Sequence, residues 1–284
     1  MVQIAVEKLI HVNQIVGDFS GANKFYHEVF GAQEYMNSYH DEEQRDASLF
    51  LIGDTCIELF SPRTATSLLG RTLARDGDAW HSFEWKVQDL EAARQALEDR
   101  GVRLATYYPG SFLMTHPKDT YGMIIELCPH EMADDPRLEP DWTADPWHHS
   151  HPMGIVAMNH LSVGVRDLDA ASRFITDLTG AEVVYETSRP LIGGRVVGLW
   201  VTDHVLELAE ATSEGSLSRS IDERGPRQRA IQWQVDDLDR AIRHLSAHGL
   251  RLLPGDSDDS IAIDPRDNFG VSYQFTERPD PKID

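Results

Sequence analysis

Apolar and polar positions along the chain form a unit that is written four times. VGDFSGANKFYHEVFG (16–31), VQDLEAARQALEDRG (87–101), VRDLDAASRFITDLTG (165–180) and VDDLDRAIRHLSAHG (235–249) each set an Asp ahead of apolar residues at helical spacing and close on a glycine. The acidic residue (Asp18, Asp89, Asp167 or Asp237) suits a helix N-cap, where its carboxylate accepts backbone N–H groups. Glycine suits the left-handed position that ends a helix. One apolar stripe per helix, as at Leu238, Ala241, Ile242 and Leu245, must cover one face of a sheet. A short β-like run precedes each helix: LIHVNQIV, HSFEWKV, NHLSVGV and AIQWQV. Further short runs follow, such as SLFLI and TCIELF after the first helix, or VVGLWV and HVLELA after the third. The pattern predicts four βαβββ modules and an α+β fold.

The modules also pair. His11 and Glu58 are 47 residues apart, as are His160 and Glu207. His81 and Glu126 are 45 apart, as are Arg229 and Gln274. The second pair of modules thus repeats the first at an offset of 148–149 residues. The expected divisions are modules 1 and 2 over residues 1–129, a linker over 130–152 rich in Pro, Asp and His, and modules 3 and 4 over 153–284. The last stretch, RPDPKID, reads as a loose tail.

Composition narrows function by exclusion. A formal net charge of −21 on 284 residues argues against sequence-independent binding to nucleic acid or anionic lipid, which need a basic face. No apolar run approaches the ~18 residues of a membrane span, and the charged start MVQIAVEKLI lacks the pattern of a signal peptide. Two cysteines, Cys56 and Cys128, make no disulfide framework. Reduced thiols in a cytoplasmic setting are expected, both acting as small buried hydrophobes. The expected partner is a small-molecule substrate, with nucleic acid and membrane excluded and a homodimer left open.

Glu126 lies between Ile125 and Leu127 in an apolar run, and burying an unpaired carboxylate is costly. Its neutralisation can come from four polar residues at equivalent strand positions. His11 and Glu58 lie on the first and last strands of module 1, and His81 and Glu126 on those of module 2. Because a strand alternates faces, it can deliver one polar side chain into a cavity from an apolar setting. Two imidazoles and two carboxylates suit one divalent first-row metal: nickel, cobalt, zinc, manganese or iron. In the second half His160 and Glu207 keep their places, but Arg229 and Gln274 replace the second His and the final Glu. A permanent cation at a ligand position repels a metal, so one metal per chain is expected, in the first half. The histidines of HHSH (148–151) read as a solvated loop. Tyr107, Tyr108 and Tyr121 read as pocket residues by position, and Lys118 and Asp119 as shapers of the turn before Glu126.

With these residues the four-module pattern resembles the vicinal oxygen chelate superfamily: glyoxalase I, methylmalonyl-CoA epimerase, extradiol dioxygenases and bleomycin- or fosfomycin-resistance proteins. The resemblance implies modules paired into two cupped eight-stranded mixed sheets. The order His11, Glu58, His81, Glu126 resembles glyoxalase I, whereas HPKDTYGMIIELC (116–128) and IELFSP are similar to methylmalonyl-CoA epimerase. A metal there would polarise a carbonyl and stabilise an enolate, with Glu58 and Glu126 as the catalytic carboxylates that move the proton. That describes an isomerase, epimerase or glyoxalase-type lyase. The alternatives are an extradiol ring-cleaving dioxygenase using Fe(II), and a resistance-type protein that binds a small molecule without turning it over.

Overall fold

The structure is a computed structural model that describes residues 2–41 and 43–279; residues 280–284 of the expected loose tail lie outside them. In the first half, β1 (Val6–Ile15), α1 (Phe19–Phe30), β2 (Gln33–His40), β3 (Arg45–Ile52) and β4 (Thr55–Pro62) make one βαβββ module. Helix α2 (Leu68–Asp76) leads into the next: β5 (Ala79–Val87), α3 (Leu90–Glu98), β6 (Leu104–Tyr108), β7 (Phe112–Thr115) and β8 (Ile125–Cys128). A connecting stretch carries α4 (Asp145–Ser150). The second half repeats the plan with β9 (Ile155–Val165), α5 (Leu168–Thr179), β10 (Glu182–Arg189), β11 (Gly194–Val201) and β12 (His204–Ala211). After α6 (Ser216–Arg224) come β13 (Arg227–Val235), α7 (Leu238–Ala247), β14 (Leu252–Pro254), β15 (Ser260–Ile263) and β16 (Ser272–Thr276).

Each half is one eight-stranded mixed sheet, in the orders β2-β3-β4-β1-β5-β8-β7-β6 and β10-β11-β12-β9-β13-β16-β15-β14. The first strands of the two modules, β1 with β5 and β9 with β13, pair antiparallel at the centre. Each is flanked by the last strand of its own module in parallel. The four expected N-caps form: Asp18, Asp89, Asp167 and Asp237 accept from the backbone N–H of Gly21, Ala92, Ala170 and Arg240. Gly31 and Gly180 end α1 and α5 in the left-handed conformation.

The outer helices and one face of each sheet share a single apolar cluster that runs through both halves. Polar contacts inside it tie the halves together, with Tyr26 and Tyr273 hydroxyls 2.7 Å apart and Trp85 Nε1 donating to His204 Nε2 at 3.2 Å. The halves also meet backbone to backbone at two related points. Gly122, four residues before Glu126, faces Pro226 just ahead of β13, and Gly270, four before Gln274, faces Asp78 just ahead of β5. Both glycines have positive φ and no room for a Cβ, so both the turn and the close approach require glycine.

Three helices were not foreseen: α4 in the connecting stretch, and α2 and α6. α2 and α6 lie over the opposite, concave faces, where Leu69 joins Ile15, Ala47 and Phe60, and Leu217 and Ile221 join Val196 and Ala209. The connecting stretch is also anchored: Arg137 donates to the Ile10 carbonyl at 2.8 Å. Contrary to the expected solvated loop, His151 is buried and bonded to the Phe30 carbonyl at the end of α1.

Candidate metal centre

Register assembles the site. His11 on β1 lies opposite Glu84 on β5, and Glu84 lies beside Glu126 on β8. Their neighbours Val12, Phe83, Trp85, Ile125 and Leu127 all enter the core, so alternation turns the three polar side chains to the concave face. One ligand atom from each of His11, Glu84 and Glu126 lies within 4.8 Å of the others. All three are buried, at 3, 2 and 7 % exposure respectively.

Electrostatics marks the group as incomplete. His11 Nε2 lies 3.0 Å from a Glu84 oxygen and 3.7 Å from Glu58. Yet neither ring nitrogen of His11, nor that Glu84 oxygen, makes a hydrogen bond. Asn13 donates to Glu126 at 3.0 Å and to the Ser82 hydroxyl at 2.7 Å. Among the described residues no lysine or arginine pairs with Glu84 or Glu126. Burial, and then the Glu84 and Glu58 charges, push the Glu126 carboxyl well above its ordinary range. Burial acts to lower the His11 pKa, but Glu84 and then Glu58 outweigh it, and the net shift is upward. Two buried carboxyl groups beside an imidazole, with no lysine or arginine among them, suit a cation between them. One imidazole and two carboxylates fit a divalent first-row metal.

The other two expected ligands sit beside this group rather than in it. Glu58, opposite Asn13 on β4, accepts from Arg45 Nη1 at 2.7 Å. Arg45 also donates to Glu43 at 2.6 Å and stacks 5.0 Å over the Phe60 ring. Burial would raise the Glu58 carboxyl, but Arg45 outweighs it and holds it below its ordinary range. His81 is the extra residue of a bulge, where the β1–β5 pairing jumps from Asn13–Ser82 to Gln14–Trp80. Its ring packs edge-on to Phe60 with centroids 5.1 Å apart, and Nδ1 is 3.0 Å from the Ser82 hydroxyl. Burial, and then Arg45, bring its pKa down to about 4.

Sequence reasoning missed Glu84 and Arg45. Glu84 stands between Phe83 and Trp85 as Glu126 stands between Ile125 and Leu127, so the same signal was present. The three tyrosines lie elsewhere: Tyr107 bonds Glu91, Tyr108 packs on Phe112, and Tyr121 packs on Phe174 of the second half. Burial raises both thiols, Cys56 and Cys128, to about 12, in keeping with inert buried side chains.

The second half repeats the register with other chemistry. His160 lies opposite Gln232, and Gln232 beside Gln274. Arg229 occupies the same bulge as His81, between Gln228 and Ala230. It pairs with Asp256 at 2.7 Å, and the Asp256 backbone N–H donates to Gln274 Oε1 at 3.0 Å. Glu207 accepts from Arg189 at 2.9 Å and from Tyr185 at 3.0 Å, with His160 Nε2 at 3.4 Å.

Comparison with known proteins gives the following. Residues 10–112 match one family model and residues 157–275 another, both described as Glyoxalase/Bleomycin resistance protein/Dioxygenase superfamily. No curated protein matches. A variant of 4-hydroxymandelate synthase from Streptomyces coelicolor is similar over 95% of this chain and 92% of its own, with 12% identity and a TM-score of 0.73. Methylmalonyl-CoA epimerase from Mycobacterium tuberculosis is similar over 45% of this chain and 91% of its own, with 26% identity and a TM-score of 0.41. A variant of Streptomyces coelicolor methylmalonyl-CoA epimerase in complex with 2-nitronate-propionyl-CoA is similar over 46% of this chain and 99% of its own, with 22% identity and a TM-score of 0.43. The full-length likeness shows a shared fold. Among the described residues no helix is long and apolar enough to cross a membrane.

Proposed function

This chain belongs to the glyoxalase/bleomycin resistance protein/dioxygenase superfamily, and we propose that it is a divalent-metal-dependent enzyme that moves a proton next to a carbonyl on a small oxygenated substrate. The observation that supports this reading is the buried group of His11, Glu84 and Glu126, whose ligand atoms converge within 4.8 Å and whose carboxyl groups, among the described residues, have no lysine or arginine partner. Those three side chains would hold the metal, with Asn13 orienting Glu126 through its 3.0 Å bond. A metal bound there supplies a Lewis acid that polarises the carbonyl and acidifies the neighbouring C–H.

Proton movement falls to Glu58. It lies 3.7 Å from His11, at the margin of the group, and is ionised at neutral pH because Arg45 holds it below its usual range. While bonded to Arg45 it is a weak base. When Arg45 turns to an anionic substrate oxygen, Glu58 loses its counter-charge and its basicity rises. Glu126, the other carboxylate expected to move the proton, is assigned here to the metal. His81, neutral at pH 7, remains the fourth donor of the original ligand set, and recruiting it requires its ring to leave Phe60.

The dioxygenase alternative calls for two imidazoles and one carboxylate, and the converging group has the opposite ratio. Small-molecule chemistry in a cytoplasmic setting is part of the proposal, supported by the two free buried cysteines. Elemental analysis of purified protein tests it, together with deuterium incorporation into enolisable carbonyl compounds followed by NMR. About one nickel, cobalt, zinc or manganese per chain is expected, lost in His11→Ala and Glu84→Gln, with exchange that depends on it. Iron with oxygen uptake on catechols would transfer the case to the dioxygenase. No metal after reconstitution would leave a binding protein.

A further inference from the structure

His11 reaches the cup because β1 is irregular just before it. In a regular strand Leu9 and His11, two residues apart, would face the same way. Leu9 instead enters the apolar core, while the His11 ring meets Glu84 in the cup. The pairing of β1 with β5 jumps there from Leu9–Trp85 to His11–Glu84, so Ile10 is the extra residue of a bulge. Without it, the register that buries Leu9 would turn His11 into the core as well.

A bulge leaves backbone groups outside the ladder, and in a buried setting these need partners. Here the partners come from outside the sheet. Both carboxylate oxygens of Asp203, in the β11–β12 turn of the second half, accept from the Leu9 N–H at 3.1 Å. Arg137 of the connecting stretch, itself fixed by Asp135 at 2.7 Å, donates to the Ile10 carbonyl at 2.8 Å. His204 Nε2 accepts from Trp85 Nε1 at 3.2 Å, so the imidazole proton sits on Nδ1 and is donated to Asp203 at 2.8 Å. The turn thus grips both members of the Leu9–Trp85 pair, one step from His11 and Glu84.

The other half makes the same bulge with a looser hold. Asn159 is the extra residue between the Met158–Trp233 and His160–Gln232 pairs. Asp54, the counterpart of Asp203, accepts from the Met158 N–H at 3.1 Å. Thr55 stands in the place of His204, with its hydroxyl turned to Asp54 at 2.9 Å. Trp233 Nε1, the counterpart of Trp85 Nε1, has no hydrogen-bond partner among the described residues. The tryptophan contact is thus made on the side of the two carboxyl groups and not on the other. Resting on the metal reading above, we infer that Asp203 is a positioning residue for the metal centre. With His204 and Arg137 it holds the Ile10 bulge, and so aims His11 at Glu84 and Glu126. The second half, which lacks the ligands for a metal of its own, supplies part of the frame of the first.

Titration of the full chain with cobalt(II), followed by visible absorption, tests this together with the His11 ring signals in a proton–carbon NMR spectrum recorded in chelator. Asp203→Ala should weaken cobalt binding at least ~10-fold, the scale for losing a group that orients a ligand. It should also shift the His11 signals with no metal present. Asp203→Asn, whose remaining oxygen can still accept from Leu9, should restore most of the affinity. Asp54→Ala removes the matching bond of the other half. It should lower the melting temperature as Asp203→Ala does, and leave cobalt binding and the His11 signals unchanged. The positioning role is overturned if Asp203→Ala binds cobalt like the parent, or if Asp54→Ala weakens binding as much, since either result makes the bond a plain fastening between halves. A parent that binds no cobalt removes the metal reading instead, and the spectrum in chelator then decides alone. Unmoved His11 signals in Asp203→Ala overturn the positioning role, and a shift there without one in Asp54→Ala upholds it.

Discussion

The two cups share one backbone plan and differ in charge. His11, Glu84 and Glu126 in the first hold the register of His160, Gln232 and Gln274 in the second. In both, the histidine approaches a glutamate on the neighbouring parallel strand, at 3.7 Å for Glu58 and 3.4 Å for Glu207. In both, an arginine compensates that glutamate, Arg45 at 2.7 Å and Arg189 at 2.9 Å. What remains in the first cup is two buried carboxyl groups with no lysine or arginine beside them among the described residues, and in the second two neutral amides. Two carboxyl groups, once ionised, are what a divalent cation cancels. The comparison teaches that a change from acid to amide at two positions, with no change of fold, separates a cation site from a plain pocket.

The largest effect should come from making the first cup like the second. Glu84→Gln with Glu126→Gln keeps size and shape and removes both charges. Metal affinity is expected to fall by at least ~100-fold, because loss of an outer-shell partner alone costs about 10–100-fold, and metal-dependent exchange should vanish. The metal-free protein should at the same time melt higher, by roughly 2–4 °C for each kcal/mol recovered from buried charge. Equilibrium dialysis and a thermal melt in chelator read the two arms. Unchanged metal content would break the comparison at its root.

The reverse exchange should act on stability, with the opposite sign. Gln232→Glu with Gln274→Glu places two carboxylates where Arg189 and Arg229 offer positive charge, and both are already taken, by Glu207 and Asp256. Stability in chelator should drop by about 4 kcal/mol, as for buried charge left unpaired. Added divalent metal should restore part of it. A variant as stable as the parent, with no response to metal, would mean that the second cup admits water freely and that its amides are not the reason for its neutrality.

Most of the fold was legible because the Asp-to-Gly helices and the short runs around them are local signals. His11, Glu58 and Glu126 were legible as polar residues on apolar strands. His81 and Glu84 show where local reading stops. His11 stands seven residues before its N-cap Asp18, but His81 stands eight before Asp89, and Arg229 likewise stands eight before Asp237. That extra residue is the bulge, and a one-residue insertion shifts which side chains face the cup. Equal spacing from His81 to Glu126 concealed it, since both ends of that interval lie in one module. Arg45 was out of reach for another reason: its role comes from a cross-strand contact with Glu58, which no periodicity encodes. The unforeseen α2 and α6 carry few buried residues, Leu69 and Gly70 in one and Leu217 and Ile221 in the other, too few to write a clear stripe.

The smallest effect concerns the ion pair that occupies the second cup in place of a second imidazole. Burial pushes the Asp256 carboxyl upward, but Arg229 outweighs it and holds the group below its ordinary range. A carboxyl depressed in the folded state contributes stability that is fully present above its unfolded value, about 3.9. That contribution is lost as pH falls through the folded value. Asp256→Asn preserves the backbone N–H that bonds Gln274 and removes only the charge facing Arg229. The variant should be less stable by about 3 kcal/mol at pH 7, the scale for one missing partner of a buried pair. Urea denaturation of both proteins at pH 7, 5, 4 and 3 follows the gap, which should hold down to roughly pH 4 and then close, as protonation removes the same charge from the parent. A gap that stays constant to pH 3 would show that Asp256 acts through shape and hydrogen bonding, and that the second cup is neutral without needing its ion pair.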